Sequence, residues 1–171
     1  MRPRGDRVPI HSDTHYRRVA AEALEAASIG EPPVPLEELA EHLAIPVRRE
    51  HLPAFFSGAL VSEDGMPVVL LNSALDEDVQ RRTLAHLLAH VMIVIADPEE
   101  SYPRNVVPAH RQADVAADEL LLPEALVRDQ AQKWFNDHRS LARLFGVSEP
   151  EMTHRMRDLG IIKQRGIAWD Y

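Results

Sequence analysis

One predicted helix, residues 73–95, constrains this chain more than any other segment. It contains His86 and His90, and their four-residue spacing puts both side chains on one face of the helix. Two histidines in that arrangement can hold one zinc ion. The residue that follows the first histidine is Leu87, which can neither accept nor donate a proton. The helix therefore predicts a metal-binding pair without an adjacent proton-transfer group.

In the HExxH helix of zinc peptidases, the residue after the first histidine is a glutamate that activates the attacking water. Leu87 occupies this general-base position here, so the sequence predicts no catalytic residue. Loss of a positioned general base slows a reaction by about 10²- to 10⁴-fold. The alternative interpretation of the pair is two core or surface histidines at a chance helical spacing.

Length and composition limit the possible classes of protein. The 171 residues are enough for one compact domain, or for one domain with a small appendage. A net charge of −8 argues against a surface built for nucleic acid, and the absence of cysteine excludes disulfides and thiolate metal sites. The N-terminus lacks a secretory signal, and no apolar run is long enough to cross a bilayer. We therefore expect a cytoplasmic protein that does not enter a membrane.

Hydrophobic periodicity and turn signals predict helices, then a small sheet, then more helices, which is an α+β arrangement. Ser73 with Asp76, and Ser148 with Glu151, are predicted capping boxes at the starts of two helices. The predicted strands are residues 45–49, 57–61 and 66–71, the last two joined by an Asp-Gly turn. The predicted helices are residues 15–28, 36–43, 73–95 and 109–122, with two or three shorter ones to about residue 159.

The chain is predicted to have three parts: a loose tail over residues 1–13, a main domain over 14–128, and a C-terminal helical module over 129–171. Residues 141–148 within the module resemble the turn of a helix-turn-helix.

The C-terminal module has two interpretations. Its His154, Arg155 and Arg157 are candidates for contacts with DNA phosphates. Nearby Glu149 and Asp158 dilute this positive charge, and so we favour a small helical module that packs on the main domain.

Four stretches together resemble the ImmA/IrrE family of gluzincin-fold zinc metallopeptidases. The resemblance implies a mainly helical, zincin-like metallopeptidase domain with a small three-stranded sheet. It also implies a zinc ion held by two histidines of one helix and an acidic residue of the next. The four stretches are residues 33–40, 57–60 with 68–72, 82–90, and 112–123, and the likeness extends over about residues 15–162.

The resemblance assigns His86 and His90 as zinc ligands, but this chain lacks the family's acidic ligand. His110 and Gln112 stand where that ligand is expected. His110 is the stronger candidate, because a His₃ zinc site is chemically sound and a neutral amide is a weak ligand. Asp114, four residues further on, shares a helical face with His110 and is predicted to orient it as a ligand.

Other charged residues receive weaker assignments. Asp118 and Glu119 are expected on a solvated helix face, and His11 and His15 are expected in the loose N-terminal segment.

Members of the resembled family typically act beside a helix-turn-helix repressor, often in phage or mobile-element regulation. The favoured hypothesis is thus a catalytically impaired or inactive member that acts through contact with such a repressor or another protein partner. One alternative is an active zinc endopeptidase that cleaves a repressor with an atypical site. A second is a DNA-binding module, against which the net charge argues.

Overall fold

A computed structural model describes residues 12–98 and 107–163, without the side chains of residues 107–109. It confirms the α+β class, since the described part contains seven helices and three strands. Among these described helices, none is long and apolar enough to cross a bilayer. The elements are α1 (Asp13–Ala26), α2 (Leu36–His42), β1 (Val47–Glu50), β2 (Gly58–Glu63), β3 (Met66–Asn72), α3 (Glu77–Ala96), α4 (Val107–Leu121), α5 (Glu124–Lys133), α6 (His138–Phe145) and α7 (Glu149–Asp158).

The small sheet has β3 in the centre, with β1 parallel to it on one side and β2 antiparallel on the other. The predicted β2–β3 hairpin is confirmed, and its register pairs Gly58 with Leu71 and Glu63 with Met66. Asp64 and Gly65 form the turn with φ of 49° and 82°. Positive φ at both positions is the conformation that Asp-Gly turns favour in two-residue hairpins.

A buried amide fixes the loop that leads into β2. The Asn72 side chain accepts hydrogen bonds from the backbone N–H groups of Leu52 and Ala74, and donates to the carbonyls of Leu52, Pro53 and Phe56. Asn72 has no exposed surface. Its hydrogen bonds replace those that a sheet would give the loop backbone, and so they position the start of β2.

A single hydrophobic core joins the helices to the sheet. Helix α3 contacts α1, α2, α4, β2 and β3. Leu84 and Leu88 are the fully buried leucines of α3. Leu141 of α6 and Met152 of α7 belong to the same cluster, so the C-terminal helices pack on the rest of the chain. The predicted division between residues 128 and 129 lies within α5, and this division stays a prediction.

The predicted capping box at the start of α3 is wrong. The helix begins at Glu77, and the Asp76 side chain makes no capping hydrogen bond. The Ser73 N–H instead donates to the Glu50 carbonyl at 2.9 Å, which ties this segment to the end of β1. The second predicted capping box is confirmed, with Ser148 and Glu151 bonded reciprocally at the start of α7.

Helix α1 starts at Asp13, two residues before the predicted start, and includes His15. The assignment of His15 to a loose segment is therefore wrong, while His11 lies outside the described residues. His15 Nε2 is 2.8 Å from Asp97 Oδ2, at the end of α3. This contact ties the first turn of α1 to the segment that leaves α3.

The expectation that Glu119 is solvated is also wrong. Its side chain and that of Arg155 form an ion pair in which they are only 6% and 5% exposed. Arg155 also donates to the Leu122 carbonyl at 3.0 Å, and Glu119 accepts from the Glu124 N–H at 2.9 Å. These bonds join the end of α4 and the start of α5 to α7. They satisfy both buried charges, which would otherwise be strongly destabilising.

We expect Arg155→Met to lower the free energy of unfolding by about 3–5 kcal/mol, because it leaves the Glu119 carboxylate buried without its partner. Arg139→Met is the matched control, since the Arg139 side chain is 71% exposed. The control should cost less than about 0.5 kcal/mol. Chemical denaturation of the three proteins measures the difference. Equal losses for the two variants would show that the buried pair does not stabilise the fold.

Candidate metal centre

Two helices supply the side chains of the candidate metal centre. Helix α3 carries His86 and His90, and α4 carries His110 and Asp114, each pair four residues apart on one helical face. Helices α3 and α4 pack against each other. The facing sides of these helices therefore bring the four side chains together.

The three histidines converge through one ring nitrogen each. His90 Nε2 lies 3.1 Å from His86 Nε2, and His110 Nδ1 lies 3.3 Å from each of those two atoms. Ligand nitrogens at 2.0–2.1 Å from a tetrahedral zinc are about 3.3–3.4 Å apart. The nearly equilateral triangle of nitrogens therefore fits three corners of a zinc tetrahedron. His110 is exposed and the other two histidines are partly buried, so solvent reaches one side of the triangle.

Asp114 contacts the first histidine, His86, rather than His110, because the neighbouring helix brings His86 to its carboxylate. His86 Nδ1 is 2.8 Å from Asp114 Oδ1. An ionised carboxylate only accepts hydrogen bonds, so Nδ1 carries the proton and Nε2 keeps a free lone pair that points into the triangle. This carboxylate–histidine arrangement is typical of metal-ligating histidines.

Burial favours the neutral, metal-binding form of His90. Desolvation lowers the pKa of His90 to about 4, helped by the neighbouring His86 and His110, although Asp114 opposes the shift. The lowered pKa means that His90 loses its proton well below neutral pH. Its lone pair is therefore available to a metal at physiological pH.

Leu87 packs beside the edge of the sheet. A Cβ atom added to Gly58, the first residue of β2, would lie 3.3 Å from Leu87 Cδ1 and 2.7 Å from Thr83 Cγ2. Only a glycine allows β2 to approach α3 so closely at this point. An apolar, partly buried group thus occupies the general-base position.

His110, and not Gln112, faces the two histidines of α3. Gln112 is two residues further along α4, roughly 200° around the helix from His110. Its side chain is buried, and its Oε1 has no hydrogen-bond partner within the described part of the chain. Gln112 therefore does not face the triangle of histidine nitrogens.

The candidate phosphate contacts of α7 are not all accessible. Arg155 is buried against Glu119, which is incompatible with its predicted contact with DNA. His154 is exposed but lies 3.2 Å from Asp158, and Arg157 is only partly exposed. Since α7 presents few free positive charges, this helix is a poor match for a DNA backbone.

Sequence patterns did not predict the surroundings of Asp118. It was expected on a solvated face, and it is exposed, but it lines a cavity among α3, α4 and α7. The signal was available, because His110, Asp114 and Asp118 recur every four residues and therefore share one face of α4.

Comparisons with known proteins identify the family and the fold of this chain. The family model of the IrrE N-terminal-like domain, a peptidase family, matches residues 40–157, which is more than half of the chain. The chain belongs to the ImmA/IrrE family. A search of curated protein sequences found no significant match.

A solved structure described as a Mycobacterium tuberculosis transcriptional regulator has a similar fold, with a TM-score of 0.65 and 23% sequence identity. The similarity covers 90% of this chain and 49% of the regulator, so the chain spans about half the length of that protein. At this identity the likeness shows a shared fold.

Family membership is consistent with the donor set of the site. The family is zinc-dependent, and the three histidine nitrogens of this ImmA/IrrE domain match the ligand type and spacing that zinc requires. The set differs from the arrangement that the family resemblance implies, because a neutral histidine stands where an acidic ligand was expected.

We expect Asp114→Asn to weaken zinc binding by about 10- to 100-fold, because the variant no longer holds the His86 tautomer with a charged acceptor. Asp129→Asn on α5 is the control, since Asp129 is a half-exposed partner of Lys133. Competition with a chromogenic chelator measures both affinities. Equal affinities for the two variants would contradict the role assigned to Asp114.

Proposed function

We propose that this ImmA/IrrE domain is a zinc-binding regulatory protein that acts through contact with a helix-turn-helix repressor, rather than by efficient peptide cleavage. His86, His90 and His110 hold the ion in this proposal. The proposal rests on one observation. Three histidine nitrogens converge to within 3.1–3.3 Å of one another, beside a leucine at the general-base position. We place the protein in the cytoplasm, in the regulation of a phage or mobile element.

The residues around the site support metal binding better than proton transfer. Zinc, when bound, would supply Lewis acidity that polarises a carbonyl group. Asp114 supplies a carboxylate beside the histidines, but its Oδ1 already accepts a hydrogen bond from His86 Nδ1–H. Leu87 cannot take a proton from water. The chain thus retains groups that hold a ligand and lacks a positioned base that would activate a nucleophile.

The chain keeps the fold of the peptidase family but has no general base at residue 87, and this combination favours a role in binding another protein. Strand β2 lies at one edge of the described sheet, whose order is β1-β3-β2. An unpaired edge can bind an extended segment of another protein through main-chain hydrogen bonds. The Mycobacterium tuberculosis protein of similar fold is described as a transcriptional regulator, and this description supports a regulatory role for the present chain.

A reporter assay tests this proposal. Helix-turn-helix repressors from the same genome are each expressed with a reporter under their own operator, with and without this protein. We expect one repressor to be relieved, to copurify with the protein, and to remain full-length on an immunoblot. Relief of none of the repressors would rule out the regulatory role. Repressor fragments that disappear with His86→Ala would replace the contact mechanism with cleavage.

An active endopeptidase is the second candidate, and the donor set favours it. Three neutral ligands leave the full charge of a zinc ion uncompensated, and three-histidine zinc sites support hydrolytic chemistry in other proteins. This candidate lacks an identified base. DNA binding is not favoured, because Arg155 is buried and the net charge is −8.

We expect zinc-loaded Leu87→Glu to cleave a casein substrate about 10²- to 10⁴-fold faster than the natural chain, because it restores a carboxylate beside the first histidine. Leu87→Gln, which has nearly the same shape and no charge, should show no gain. Elemental analysis must give the same zinc content for all three proteins. Equal rates with equal zinc would show that the site cannot perform hydrolysis even with a base at residue 87.

A further inference from the structure

A cavity of about 280 Å³ lies among α3, α4 and α7, and it shares no residue with the histidine cluster. Pockets that enclose drug-sized ligands have about 300–1,000 Å³, so this cavity is suited to a group of amino-acid side-chain size. Its lining consists of Arg82, Asp118, Leu121, Leu122, Pro150, Glu151, His154, Arg155 and Asp158.

Most charged groups of the cavity have a partner. Arg82 pairs with Glu151 and Arg155 pairs with Glu119, while His154 lies 3.2 Å from Asp158, a contact that is ionic only when the histidine is protonated. Across the described residues, Asp118 has neither a hydrogen-bond nor an ion-pair partner. The Asp118 carboxylate therefore has free hydrogen-bond acceptors among the described residues, although the charges of Arg155, His154 and Arg82 act on it.

The surroundings of Asp118 are partly apolar. Leu121 and Leu122 at the end of α4 are each only 5% exposed, and they line the cavity together with Pro150 of α7. Although Asp118 is exposed as a residue, the surrounding protein desolvates its carboxyl group and raises its pKa, while the positive charges of Arg155, His154 and Arg82 oppose the shift. An ionised carboxylate at such a place is stabilised by a cation that enters the cavity.

We propose that this cavity binds a cationic group on an aliphatic stem, the chemistry of an arginine or lysine side chain. The stem packs on Leu121, Leu122 and Pro150, and the cationic head pairs with Asp118. Arginine fits best, since its planar guanidinium can donate two parallel hydrogen bonds to one carboxylate. The inference goes beyond the proposed function, because it needs neither zinc nor a repressor.

The position of the cavity makes a polypeptide the expected source of that side chain. Arg82 is one helical turn from His86 on α3, and Asp118 is one turn from Asp114 on α4. One turn is about 5.4 Å along a helix, whereas each residue of an extended peptide spans about 3.3 Å. A peptide that reaches the histidine cluster can therefore place a side chain a few residues away in the cavity.

Titration with N-acetyl-L-arginine amide, followed by NMR of the ¹⁵N-labelled protein, tests the proposal. We expect shifts at the lining residues with a dissociation constant of roughly 1–10 mM. The neutral isostere N-acetyl-L-citrulline amide should bind roughly tenfold more weakly, because it lacks the charge that pairs with Asp118. Equal binding of the two amides, or no shifts at about 50 mM, would overturn the proposal.

Two variants locate the binding site. Asp118→Asn should weaken the arginine amide roughly tenfold, while Asp129→Asn should leave its affinity unchanged. An undiminished affinity in Asp118→Asn would contradict the assigned pairing. If Asp118→Asn lowers the melting temperature, its weaker binding could result from a loss of folding. The comparison of the arginine and citrulline amides on the natural chain then tests the proposal without a variant.

A final arm identifies the source of the cationic group. Tighter binding of the arginine amide than of n-butylguanidine supports a peptide-borne side chain. The reverse order supports the same cavity chemistry with a free small guanidine or amine as ligand.

Discussion

The packing of α4 against α3 determines the position of every group in the candidate metal centre. The histidines belong to different helices, so their nitrogens meet only at one spacing and one rotation of the two helices. Ala89 on α3 and Ala113 and Ala117 on α4 are at most 5% exposed. Small buried residues allow helices to approach closely, since interhelical distance depends on the side chains at the contact. The geometry of the site is thus a result of core packing as much as of its ligands.

Local patterns predicted the parts of the fold that depend on neighbouring residues. The four-residue spacing of His86 and His90, and the Asp64-Gly65 turn, require only the periodicity of a helix and the conformational freedom of a turn. The choice between His110 and Gln112 was different. Both lie at the start of one helix, and only the rotation of α4 relative to α3 decides which faces the site. A family resemblance suggested both positions, and tertiary packing favours one.

Predictions failed where distant residues compete with local ones. Ser73 has the sequence signature of a helix cap, but its N–H bonds to Glu50, which lies 23 residues earlier in the chain. Glu119 and Arg155 are 36 residues apart, and each alone resembles an ordinary surface charge. Their burial follows from the docking of α7 on α4, which no periodicity within either helix reveals. Local propensity is a weak guide when a tertiary contact satisfies the same group.

The stripe of His110, Asp114 and Asp118 along one face of α4 has a thermodynamic consequence. The three side chains are carried on the same rigid rod, so a rotation of α4 moves all of them at once. A ligand that holds one end of the stripe in place reduces the freedom of the other end. If one ligand changes the affinity of the protein for a second ligand, the second changes the affinity for the first by the same factor. Helix α4 is therefore the element through which the two proposed ligands, zinc and a cationic side chain, would influence each other's affinity.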